Sequence, residues 1–162
     1  MSSIHIRKIQ SNDNPKIAQA IRSVFELEGY PLTGTAYADP QLDFMFETYQ
    51  IPNSVYFVVE QEGVIFGGAG IRPLDNGSDG VCELQKMYFL PQIRGQGIGL
   101  QIIQLCLKAA NDFGYQKCYL ETLPEMIAAQ HIYQKMGFAY LCEPLGNTGH
   151  TNCPIWMLKS LQ

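Results

Sequence analysis

The stretch Met87-Tyr88-Phe89-Leu90-Pro91-Gln92-Ile93-Arg94-Gly95-Gln96-Gly97-Ile98-Gly99-Leu100 carries an apolar strand into three alternating glycines and then into an amphipathic helix. Glycine lets the backbone turn tightly and come close to a ligand. The unpaired amides of the helix's first turn can then point at one anion. Arg94 adds a fixed positive charge at the same mouth. The helix reads from about 97 to 113, with Ile98, Ile102, Leu105, Cys106, Ala109 and Phe113 on one face, and Gly114 as its C-terminal stop.

A glycine-rich turn between strand and helix also serves as a plain tight connection, so spacing has to discriminate. The dinucleotide fingerprint requires Gly-x-Gly-x-x-Gly with an acidic residue about 20 positions on. Here the third glycine comes one residue early, and Lys117 and Cys118 stand near that distance. The ATP-type phosphate loop ends Gly-Lys-Ser/Thr, whereas this one ends Gly99-Leu100-Gln101. Both nucleotide readings are disfavoured.

Arg94, Gly97 and Gly99 spell Arg/Gln-x-x-Gly-x-Gly/Ala, which resembles the pyrophosphate-binding signature of the GNAT N-acetyltransferase superfamily. Two more blocks extend the resemblance over roughly 82–140. Glu83-Leu84-Gln85-Lys86-Met87-Tyr88-Phe89 looks like the family's fourth strand. Ala129 to Phe138, with the pattern Ala-x-x-x-Tyr-x-x-x-Gly-Phe, looks like its last helix. The resemblance implies a mixed α/β fold, a mostly antiparallel sheet flanked by helices, in which the fourth and fifth strands splay apart. It also implies acetyl-CoA as co-substrate, its pantetheine lying in that opening.

Bulk properties agree with one ordinary domain over residues 1–162, long enough to bury a sizeable core. With no apolar run near about 18 residues and no signal-like start, the protein is expected to be soluble and cytoplasmic. Five cysteines, at 82, 106, 118, 142 and 153, form an odd set without a Cys-x-x-Cys pair or a histidine at ligand spacing. That argues against a disulfide framework and against a metal site. A net charge of −4 without a lysine or arginine cluster gives little reason to bind nucleic acid or an anionic membrane, and mildly favours a cationic substrate. The sequence leaves a homodimer open.

Along the chain, Ile4 to Ile9 alternates as a first strand, and Asn14 as cap with Pro15 opens a helix bearing Ile17, Ile21, Val24 and Phe25 to Gly29. Asp39-Pro40 repeats that signal for a short helix with Leu42, Met45, Phe46 and Tyr49. Residues 55–60 and 64–70 form a hairpin about Gln61-Glu62-Gly63, and a third strand covers about 82–89. Gly67, Gly68 and Gly70 imply a close backbone neighbour. A strand at 117–121, a helix at about 125–135 and strands near 138–142 and 154–158 complete the order.

Acetyl transfer from a thioester to an amine needs an uncharged amine, oxyanion stabilisation and a proton for the leaving thiolate. The resemblance places the donor's diphosphate at Arg94, Gly95, Gln96, Gly97, Ile98 and Gly99, and its pantetheine on backbone groups of Met87, Tyr88 and Phe89. Tyr133 falls where the family's usual general acid sits; the alternative is a tyrosine packed between helix and sheet. Glu83 stands where many relatives carry a base, against a structural pairing with Lys86 or Arg72 or an exposed place on the strand. Period two puts Glu83, Gln85 and Met87 on one face.

Glu121 is a second carboxylate at a strand end. His150, in the polar turn between the last strands, is a base or substrate contact unless it is simply solvated. Tyr37 lies in the loop where relatives build acceptor specificity. Asp39 reads as a helix cap, Trp156 as core packing, and His5 and His131 as structural. Met126 replaces an asparagine with which many relatives contact the donor.

These residues point to an N-acetyltransferase acting on a small-molecule primary amine by direct attack, since none of the five thiols carries a recognisable activation signal for a cysteine relay. The alternatives are a non-catalytic acyl-CoA sensor and an acetyltransferase of protein or peptide amines.

Overall fold

The computed structural model describes residues 2–161. Strand β1 (His5–Lys8) leads into helix α1 (Asn14–Glu28). Two 3-10 turns, Ala36–Ala38 and Pro40–Phe44, then run into the single-turn helix α2 (Met45–Thr48). Strands β2 (Val55–Gln61), β3 (Val64–Pro73) and β4 (Val81–Phe89) follow. After them come α3 (Ile98–Asp112), β5 (Lys117–Thr122), α4 (Ile127–Lys135), β6 (Ala139–Tyr140) and β7 (Ile155–Ser160). The element order is the one the sequence predicts.

All seven strands join one sheet in the order β1-β2-β3-β4-β5-β7-β6. Every pairing is antiparallel except β4 with β5. That parallel pairing covers only Val81, Cys82 and Glu83 against Lys117, Cys118 and Tyr119. Beyond those residues both strands continue without pairing to each other, so the sheet forks, as the family resemblance implies. Glu83 is the last paired residue of β4 on that side.

Apolar residues cover the sheet on both faces. One core joins Val55, Phe57, Ile71, Leu84 and Met87 to Ile98, Ile102 and Cys106 of α3 and to Tyr133 and Phe138. The other joins Ile17, Ile21 and Phe25 of α1, and Leu42, Met45 and Tyr49, to Tyr56, Val58 and Tyr88. The glycines of β3 make the second core possible. A Cβ on Gly68 would sit 2.6 Å from the Tyr56 ring, and one on Gly70 2.5 Å from it. The expected backbone neighbour is there too, the Phe57 carbonyl lying closer still to position 68, and the Tyr56 hydroxyl donates to the Lys86 carbonyl at 2.8 Å.

Three local readings are corrected. Strand β4 does not keep period two: its register against β3 shifts between Gly68 and Gly70, and Lys86 has a left-handed φ of 51°. This bulge reverses side-chain parity, so Met87 joins the α3 core while Glu83 and Gln85 lie on the α1 side with Tyr88. Asn14, read as a cap, is instead the first residue of α1. Its amide oxygen accepts from Phe46 N and its NH2 donates to Glu47, tying α1 to α2. The penultimate strand is also shorter than predicted, at Ala139–Tyr140.

Gly68→Ala is expected to destabilise the protein by about 1–3 kcal/mol, the usual range for overpacking a rigid core. Denaturant unfolding beside the wild type measures it.

Candidate active site

The donor half begins where β4 ends. Gly95 and Gly97 have φ of 76° and 77°, a region in which a side chain would strain the backbone, and a Cβ at either would meet open space. Gly97 occupies the N-cap of α3 and supplies no capping side chain. Among the described residues the amides of Gly95, Gln96 and Gly97 have no backbone acceptor. The first-turn amides of α3 have none by helix geometry. The result is a cluster of unspent N–H groups at the positive end of a fifteen-residue helix.

Beside it lies a cavity of about 340 Å³ lined by Met87, Tyr88, Phe89, Arg94 and Gly99, with Met126 on the α4 side. Met126, the departure from the family pattern, offers no side-chain N–H there, and its sulfur accepts from the Thr122 hydroxyl. Ile98 is buried in the core and contributes backbone alone. Gln96 is exposed and donates to the Gln92 carbonyl. Arg94 is not the free charge its sequence position suggests. Its Nε donates to Phe89 O at 2.8 Å, and its NH1 lies 2.7 Å from Glu28 at the end of α1.

The acceptor half lies on the α1 side of the fork. Glu83 is only 4% exposed, and its Oε1 accepts from Gln85 Nε2 at 2.6 Å. Gln85 is held in turn by the Tyr49 hydroxyl at 2.8 Å. Burial pushes the Glu83 carboxyl up to about 7; the Gln85 hydrogen bond opposes the rise and the nearby Glu121 charge adds to it. Neither structural pairing considered for Glu83 occurs within 4.0 Å. Arg72 stands opposite it in register without an ion pair, and Lys86 reaches Asp39 Oδ2 at 3.0 Å instead.

Asp39 therefore does not cap its turn. Both its carboxylate oxygens accept from His150 Nε2, at 2.8 and 2.9 Å. Burial alone would raise the Asp39 carboxyl, but the His150 hydrogen bond and the Lys86 charge outweigh it and hold it below the usual carboxylate range. Burial likewise pulls His150 down, while the hydrogen bond and charge of Asp39 leave it above its ordinary value. On the other side of the ring, Nδ1 lies 4.0 Å from Glu121. Glu121 accepts from the Tyr119 hydroxyl at 2.7 Å and from the Thr148 hydroxyl.

Glu83, Glu121 and His150, chosen from sequence, thus come together. Tyr37 does not join them: its hydroxyl donates to Glu26 on α1 at 2.8 Å and its ring packs against Phe25. Trp156, read as core, is half-buried opposite Glu121, in a cavity of about 290 Å³ with Thr148 and His150. Tyr133 is buried against Phe138, ring centroids 6.0 Å apart, and its hydroxyl makes no hydrogen bond among the described residues. Burial pushes its phenol well above the ordinary value, so it carries its proton at neutral pH. Sequence reasoning missed Asp39 and Lys86 as site residues, because an Asp-Pro pair reads locally as a cap and the bulge has no local signature.

The fold matches what comparison with known proteins finds. The acetyltransferase (GNAT) family model matches residues 19–138. The uncharacterized N-acetyltransferase YjgM of Escherichia coli (strain K12) is 41% identical over 157 residues, covering 96% of this chain and 94% of that protein. A GNAT-family acetyltransferase from Staphylococcus aureus is similar in structure with a TM-score of 0.81 at 18% identity, covering 99% and 100% of the two chains. Salmonella typhimurium yncA, whose structure is described with its cofactor acetyl-CoA, has a TM-score of 0.74 at 17% identity, with coverage of 98% and 94%. The chain belongs to the acetyltransferase (GNAT) family, and its activity is acyl-CoA-dependent acetyl transfer.

The Glu28–Arg94 contact occupies the cation that the donor cradle offers. Glu28→Gln is expected to tighten coenzyme A binding about two- to fivefold, the worth of one partly exposed ion pair. Titration calorimetry on the two proteins reads the difference.

Proposed function

We propose that this protein transfers the acetyl group of acetyl-CoA to the primary amine of a small molecule by direct attack, all within the one domain. The observation that carries the reading is Glu83, a buried carboxyl pushed up to about 7 at the point where β4 and β5 part, on the strand that runs into a cradle of free amides. The cradle suits a diphosphate: its glycines leave open space, its amides lack acceptors, and Arg94 stands beside them. When bound, the co-substrate supplies the activated acyl group. Backbone groups of Met87, Tyr88 and Phe89 along the unpaired edge of β4 would orient it.

Glu83 takes the proton of the incoming ammonium. Its Oε1 is engaged by Gln85, and Oε2 makes no hydrogen bond among the described residues, so the proton goes to Oε2. Asp39 is already met by Lys86 and His150, so Glu83 is the carboxyl left to meet an incoming amine. The cavity of about 290 Å³ beside Glu121 and Trp156 has the size of a small molecule. Tyr133, protonated at neutral pH, supplies the proton that the departing thiolate needs.

A panel of primary amines assayed with acetyl-CoA and thiol detection tests the reading; donor binding without turnover of any amine would favour the sensor instead. With the amine so identified, kcat/KM falls about tenfold per pH unit below about 7, because protonated Glu83 cannot accept a proton. Glu83→Gln lowers it about 10²–10⁴-fold and removes that limb. Tyr133→Phe lowers kcat while its melting temperature stays within a few degrees, since the packed ring remains; unchanged kcat would leave Tyr133 a packing residue.

A further inference from the structure

Asp39, Lys86 and His150 come from the α1–α2 connection, strand β4 and the β6–β7 connection, yet their charged ends meet. The side chains are 16%, 5% and 17% exposed, with Lys86 Nζ at 3.0 Å and His150 Nε2 at 2.8 Å from the one carboxylate. Charges this deep are tolerated only when paired, and deleting one partner leaves the others uncompensated. Neither cation has another carboxylate as close: the next is Glu121, 4.0 Å from His150 Nδ1.

Each cation belongs to something the acceptor half depends on. Lys86 is the left-handed residue of the β4 bulge, which puts Tyr88 on the same face as Glu83. His150 belongs to the connection between β6 and β7, whose Thr148 bonds Glu121 and whose Cys153 is buried against the same face. That connection is also tied to the first loop by Asn152, which donates from Nδ2 to Thr33 O at 2.8 Å and from its amide to Gly34 O at 3.0 Å.

Resting on the acetyltransferase reading, we propose that Asp39 is a positioning residue of the acceptor half-site: its one carboxylate holds the β4 bulge through Lys86 and draws the 146–153 connection against the fork through His150. It touches neither reacting atom. What it sets is the position of Thr148 and His150 beside Glu121, in the cavity that Trp156 also lines, and so which amines enter.

The groups facing His150 are Asp39 from the first connection, Lys86 and Glu83 from β4 and Glu121 from β5. Asp39 is the one whose hydrogen bond holds the imidazole above its ordinary value. A raised histidine pKa gives a contribution complete below the unfolded value of about 6.5 and lost as pH rises through the folded value. The stability gap between wild type and Asp39→Asn is therefore widest below about pH 6.5 and narrows above it, the Lys86 contact persisting.

The test uses the full chain with Asp39→Asn, Asp39→Glu and His150→Gln. In NMR titration of the histidine rings, His150 is expected above about 6.5 in the wild type, below it in Asp39→Asn, and restored upward in Asp39→Glu. Hydrogen exchange over 147–152 should rise about tenfold or more in Asp39→Asn and in His150→Gln, while exchange in the donor helix and coenzyme A affinity by calorimetry stay within about twofold. With the amine from the panel, its KM rises at least about tenfold and the acetyl-CoA KM does not. An unshifted His150 titration with unchanged exchange overturns the proposal, as does an equal rise in both KM values. If Asp39→Asn fails to fold, His150→Gln decides by the same exchange and KM criteria. Failure of the wild type to bind coenzyme A would sink the enzymatic reading while leaving the titration and exchange results to judge the contact itself.

Discussion

The parallel pairing of β4 with β5 stops after Glu83 and Tyr119, and the rest of the molecule is arranged around that early stop. A strand edge left unpaired inside a sheet exposes amides and carbonyls that must find partners elsewhere. Here the opening gives a ligand access to the β4 backbone from one side and to a carboxyl from the other. The glycine loop follows directly at the end of β4, so the fork and the anion cradle are consecutive in the chain and need no long-range device to align them. The acceptor side is different. Its residues come from four segments, and only side-chain contacts bring them into register.

That difference explains what could be read in advance. The donor loop is written in local grammar: Gly95 and Gly97 need left-handed φ, and a helical stripe begins at Ile98. Such signals survive without tertiary knowledge, and so did the element order. Local grammar failed where a distant partner decides. Asp39-Pro40 has the form of a cap, yet the Asp39 carboxylate finds two cations, one of them 111 residues away. Alternation in β4 seemed to place Met87 beside Glu83, but the bulge at Lys86 reversed it. Trp156 alternates like a core residue, and only the cavity beside Glu121 shows what it lines.

Burial pushes both carboxyls around the fork toward the neutral form, and their neighbours decide which of them yields. Glu83, with only Gln85 to bond it and a like charge nearby, is pushed toward neutrality. Asp39, less deeply buried and facing two cations, is held ionised. Two carboxyls on one face therefore differ in charge state at neutral pH because of their neighbours, not their chemistry, which is how a single protein face can keep one fixed anion beside one exchangeable proton.

Tyr56 lies across Gly68 and Gly70 while its hydroxyl holds the Lys86 carbonyl, so three strands share one ring. The arrangement makes the bare positions of β3 and the kink of β4 parts of a single evolutionary unit. A bulkier residue at 68 or 70 would meet both the ring at 56 and a carbonyl of β2, and a smaller ring abandons the kink's carbonyl. Divergence at these sites has to be concerted, and the order in which substitutions arise decides which of them a descendant chain survives.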